Sequence, residues 1–147
     1  ASLEERIKNY INKYGNAPFD SYTLWQQASA GHKVFDDLGI CIAVAETSFG
    51  IHFASARNIG NVGNNDRWDR IDFSWPVEGA SVIYYALENQ YLWGYHTLDK
   101  LSGYGNKSWP VYASSPINRQ TNIVKCLTEI RGYRVPDDAP VRTYQAN

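Results

Sequence analysis

The chain contains no stretch approaching the ~20 consecutive apolar residues that a bilayer-spanning helix requires, so no membrane span is expected. Methionine is absent altogether. Cysteine occurs only at Cys41 and Cys126, and neither belongs to a Cys-x-x-Cys pair, which argues against a zinc site. Histidines are few and unclustered, so no metal centre is expected. No glycine loop of the phosphate-cradling kind precedes a helix. Gly60-Asn61-Val62-Gly63 fails that pattern, and no cofactor is expected. Fourteen basic residues face fifteen acidic ones, and no long basic run breaks the balance. Nucleic-acid binders usually show a cationic patch, so a nucleic-acid partner is not expected. No signal peptide is visible. A mature form, a domain of a longer protein and a protein released without a signal all fit.

What is present describes a folded chain. The 147 residues suffice for one domain with a sizeable core, and 44% apolar against 20% charged residues is a globular balance. Residues 1–147 read as a single domain with an extended C-terminal tail over 136–147, either a monomer or part of a larger protein. Five Trp, eleven Tyr and five Phe are many for this length. Core packing is the first explanation; a groove for sugar rings, whose C–H faces stack on aromatic rings, is the second. The two cysteines fall in segments read as core-facing helices. Two buried thiols are the favoured reading, and a Cys41–Cys126 disulfide is the alternative open to an exported protein.

Helical spacing dominates the chain. Ser2, with Glu5 three residues on, opens a helix carrying Leu3, Ile7, Tyr10, Ile11 and Tyr14, and Gly15 stops it. Asp20 or Ser21 caps a second helix through Leu24, Trp25 and Ala28 to near Gly31. Val34 to Glu46 lacks a polar stripe and reads as a central helix buried nearly all round, with a buried strand over Ile40–Ala45 as the competing assignment. Gly39 within it suits a close approach by a neighbour. Residues 49–73 show no sustained period and form a long irregular segment with room for short strands; such segments are often functional. A helix starts at Ser74-Trp75-Pro76 and ends by Gly94, Thr97 caps a short one, and Ser115-Pro116 begins the last, closed by Gly132. Between these last two, residues 103–106 read as a turn and 107–114 as extended.

Glu46 is the residue that a folding argument does not need. It ends the most apolar segment of the chain. A helix C-terminus and apolar neighbours both disfavour an ionised carboxylate. A carboxyl that keeps its proton near neutral pH can act as a general acid, which glycoside cleavage requires when the leaving oxygen is protonated. The segment after it holds Asn58, Asn61, Asn64, Asn65 and Asp66. Amide side chains suit hydroxyl and acetamido groups, although on this loop alone ordinary turn chemistry is the better account of Asn and Asp.

"CIAVAETSFG" resembles the stretch "aiaxxESsfg" of the lysozyme-like superfamily, which includes lytic transglycosylases and peptidoglycan N-acetylglucosaminidases. "ARNIGNVGNND" is similar to the cleft-lining segment of the glucosaminidase-like branches. "LSGYGNKSWPVYASS" is similar to a later "AYNxG…YA" element, with Tyr112-Ala113 in the place of "YA". The matches run in order over roughly residues 38–130. The resemblance implies a mostly α, lysozyme-like α+β fold, with a buried central helix that ends in the catalytic acid, Glu46, beside a glycan-binding cleft. It implies substrate contacts from Ser48, Asn58, Asn61, Asn65 and Tyr104. Asp66 is the preferred second carboxylate, ahead of Asp69 and Asp72, with pairing to Arg67 or Arg70 as its structural alternative. His52 and His96 receive no role. The transglycosylase "GLMQ" element is missing, and "NVGNND" stands in its place, which leaves the bond that is cut open.

The expected activity is therefore a peptidoglycan-cleaving glycosidase: a muramidase, lytic transglycosylase or N-acetylglucosaminidase. It would act on peptidoglycan or a chito-oligosaccharide-like glycan, outside the cell or in the envelope, whether secreted, periplasmic or phage-associated. The rival expectation is a non-catalytic glycan-binding or structural module of a cell-envelope or phage machine. A helical interaction domain of the cytosol is a third.

Overall fold

A computed structural model describes residues 1–64, 69–88, 96–102 and 116–143. Within them the chain is mostly helical: α1 (Leu3–Tyr14), α2 (Tyr22–Ser29), α3 (Asp36–Thr47), α4 (Pro76–Glu88), α5 (Leu98–Ser102) and α6 (Pro116–Arg131). No described helix is long and apolar enough to cross a membrane.

Local chemistry sets the helix ends. The Ser2 hydroxyl accepts from the Glu5 N–H, and Ser21, rather than Asp20, accepts from Leu24 N–H. Gly132 ends α6 at φ +77°, a left-handed position that glycine occupies without strain. Gly15 stops α1 by a different route. Its backbone is extended, and a Cβ there would stand 2.8 Å from Asp20 Cα, so the turn into α2 has room only for glycine.

The expected central helix forms over Asp36–Thr47, with no strand at Ile40–Ala45, and Val34 lies before it in an antiparallel bridge to Arg142. Every residue from Asp37 to Ala43 in α3 is buried, as the absence of a polar stripe predicts. Gly39 faces Tyr84 of α4, and a Cβ there would overlap the ring; the Tyr84 hydroxyl donates to Asp36 O at 2.6 Å. The partner in the close approach is thus a tyrosine ring. Around α3, Phe19, Trp25, Phe49 and Tyr84 form an aromatic cluster with centroids 5.9 to 6.5 Å apart, so these aromatics are core.

The main packing is α2 against α4 and α3 against α6. The α3–α6 seam is antiparallel and cross-linked three times. Asp37 meets Arg131 in a two-pronged pair at 2.7 and 3.0 Å, Cys41 and Cys126 form a disulfide with Cα atoms 5.6 Å apart, and Glu46 meets Arg119. The disulfide corrects the favoured reading of two free thiols. A short apolar residue on each of two facing stripes satisfies thiol burial and disulfide geometry alike, so sequence does not separate them.

The described part of the tail, up to residue 143, is integrated rather than loose. Val135, Ala139 and Val141 are buried, and isolated antiparallel bridges join Val34 to Arg142 and Thr97 to Pro140.

Candidate functional site

Helix α3 leaves the core at its last turn. Ile42 and Ala43 are buried, whereas Val44, Ala45 and Glu46 are partly exposed. The chain then reverses sharply. Ser48 and Phe49 both have positive φ, and Gly50 has φ +90°, where glycine alone is unstrained. Thr47 anchors this reversal. Its buried hydroxyl donates toward Ala43 O (3.0 Å) and Ile59 O (2.8 Å) and accepts from Gly50 N–H.

That anchor brings the polar loop back over the helix end. The Asn61 amide donates to both the Glu46 carbonyl (3.1 Å) and Glu46 Oε2 (3.2 Å). Asn61 is itself oriented by Asn64, whose amide donates to Asn61 Oδ1 and to Ser55 Oγ. On its other oxygen Glu46 is in contact with the Arg119 guanidinium. The Glu46 side chain is 23% exposed and that of Arg119 only 4%. The carboxyl is therefore clamped from two sides and reachable from a third.

The clamp changes the electrostatics expected of Glu46. A helix C-terminus and apolar neighbours both favour the proton-bearing form. The fold adds a third of opposite sign, since a cation in contact favours a carboxylate. Burial lowers the Arg119 guanidinium to about 9, still protonated at neutral pH. Arg119 was legible in one respect: it lies four residues before Ile123, on the core stripe of α6, where a charge needs a partner.

The other predicted contacts divide. Asn61 stands beside Glu46. Asn58 does not: it is fully buried, its amide donates to Val62 O and Ile71 O, and its carbonyl accepts from Val62 N–H. This corrects its assignment to substrate, because both ends of the side chain are consumed in holding the loop. Asn64 is engaged in the same way, accepting from Ile71 N–H. Ser48 is exposed but opens onto a groove whose lining does not include Glu46. Asp72 accepts from Ala56 N–H at 2.8 Å and pins the loop. No short strand forms in the described part of residues 49–73. His52 is exposed, and His96 contacts Arg142 at 3.2 Å. Asn65, Asp66 and Tyr104, the 103–106 turn, the extended 107–114 segment and Tyr112-Ala113 lie outside the described residues. No cluster of potential metal ligands occurs among the described residues.

What the arrangement offers chemically is one oriented, partly exposed carboxyl at the mouth of a helical core, with an amide and a guanidinium fixing its two oxygens. No protein-family model and no curated protein matches the chain.

Proposed function

We propose that the protein is a glycosidase of lysozyme-like kind that cleaves peptidoglycan glycan strands, with Glu46 as its acid–base residue. The observation that carries this reading is the position of Glu46: it stands in the last turn of the most buried helix, keeps 23% of its side chain exposed and is gripped by Asn61 from the polar loop. In this reading Glu46 gives its proton to the bridging oxygen as the glycosidic bond breaks. Asn61 and Arg119 keep the carboxyl aimed, so that no reorientation is needed when the substrate arrives. Arg119 favours the carboxylate, whereas the reaction consumes the carboxylic acid. Activity is therefore expected to be greater at mildly acid than at alkaline pH. The second carboxylate of the reading is Asp66, which would steady positive charge on the sugar or position water.

The test is direct. Incubation of the protein with purified cell-wall sacculi should release soluble muropeptides, and mass spectrometry of their ends assigns the bond. Reducing N-acetylglucosamine ends, reducing N-acetylmuramic acid ends and anhydro ends distinguish the three activities. Unchanged sacculi at every pH from 4 to 8 would remove the enzymatic reading.

One observation favours the alternative, a non-catalytic glycan-binding or structural module. The Glu46–Arg119 pair repeats, at the other end of the α3–α6 seam, what Asp37 and Arg131 do at the first. A purely structural clamp would look the same. Sacculi that adsorb the protein and are not cut would support it.

A further inference from the structure

A groove of about 430 Å³ opens between α1, the end of α3 and α6, within the size range of sites that enclose a small ligand. Its lining includes Val44 and Ser48 but none of Glu46, Asn61 and Arg119. Val44 and Glu46 are two residues apart on a helix of 3.6 residues per turn, so they project from opposite sides of α3. The groove is thus a different place from the carboxyl clamp.

Its floor is apolar and rigid. Tyr10, Phe49 and the disulfide-bonded Cys126 are buried there. Tyr14 is 40% exposed and cannot swing freely: its hydroxyl donates to Glu129 at 2.7 Å, Lys13 lies 3.5 Å from the same carboxylate, and its ring sits 4.7 Å from that of Tyr10. The rim is polar and uncommitted. Ser48, Asn122 and Lys125 are all exposed, and none makes a side-chain hydrogen bond or ion pair among the described residues.

An apolar floor edged by groups that both donate and accept matches a pyranose, whose C–H face is apolar and whose hydroxyls do both. Serine supplies one donor and two acceptor sites, and asparagine two donors and an acceptor. Glu129 is already paired with Lys13 at 3.5 Å, so Lys125 leaves the rim with one positive charge, too little by itself to define a polyanion site. An acetamido group joins a methyl to an amide, which fits an apolar floor beside the Asn122 amide. We infer that this groove binds one or two N-acetylhexosamine units of a glycan, independently of Glu46.

The inference does not rest on catalysis by Glu46, and its test separates the two. The Glu46→Gln protein, labelled for NMR, is titrated with the N-acetylglucosamine trimer, with the glucose trimer as control. The N-acetylglucosamine trimer should shift the Asn122 side-chain amide and the Ser48 and Lys125 backbone signals in a saturable way. Asn122→Trp should weaken that response at least tenfold in the same background, as should Asn122→Ala to a smaller degree. The idea is overturned if the groove signals stay still, if the glucose trimer shifts them equally, or if Asn122→Trp leaves the affinity unchanged. Whether the unsubstituted protein cuts sacculi affects none of these outcomes.

Discussion

Individual side chains around the end of α3 have separable duties. Asn61 has φ +51° and orients Glu46, so Asn61→Gly keeps the backbone at ease and removes the grip together with the Asn64 brace on it. It should lower the rate of sacculus clearing at least ~10-fold, on the scale of one lost orienting contact, with little change in melting temperature. Thr47 does the converse. Its hydroxyl makes three contacts in a buried place, so Thr47→Val should cost about 1–3 kcal/mol in denaturant unfolding. At this scale the sequence was readable for chemistry and not for duty. Asn58, Asn61 and Asn64 look alike in "RNIGNVGNN"; only the path of the loop decides that one is fully buried, one aims a carboxyl and one braces the second. Arg119 gave a sign, a charge on an apolar stripe, but its partner 73 positions earlier is set by helix packing.

Among the elements, the close contact of α3 with α4 leaves no room for a side chain at residue 39. A Cβ at residue 39 would overlap the Tyr84 ring, and Tyr84 is buried and hydrogen-bonded to Asp36 O. Gly39→Ala should therefore destabilise by about 1–3 kcal/mol, the usual cost of overpacking, despite the better helix propensity of alanine; chemical denaturation measures it. The helices themselves were largely legible, because caps and apolar spacing are local: Ser2, Ser21 and Gly132 act where the sequence puts them. The helical state of α3 was also readable, since its length and lack of a polar face suit a central helix. The tail was not. Val135, Ala139 and Val141 are buried through bridges to residues far away in the chain, and such pairing leaves no periodic trace.

At the scale of the molecule, the cross-link between Cys41 and Cys126 spans 85 positions. Closing a loop of that size in the unfolded chain is worth about 4–5 kcal/mol in the chain-entropy account. Cys41→Ala/Cys126→Ala should lower the unfolding free energy by a large part of that, read from denaturant midpoints with and without reductant. A second whole-molecule handle is Glu88, which ties the end of α4 to the segment after α2 by accepting from Lys33 N–H and meeting His32 at 2.9 Å. Burial raises its pKa, but the Lys33 amide and His32 more than offset this, and the net shift is downward from the ordinary 4.5. A depressed carboxyl stabilises the fold above its unfolded value and loses that contribution as the pH falls through the folded one. The stability advantage over Glu88→Gln should thus be full at pH 7 and shrink below about pH 4.5, as thermal melts across that range would show.

The central claim concerns Glu46, and one comparison tests it most directly: clearing of sacculi by the unsubstituted protein and by Glu46→Gln, each normalised to folded protein by its melting curve. Glutamine keeps an oxygen for Arg119 and has no proton to give as an acid. The account predicts a loss of about 100- to 10,000-fold in rate, the usual contribution of a general acid, with the fold retained. Clearing by Glu46→Gln at the unsubstituted rate would contradict it.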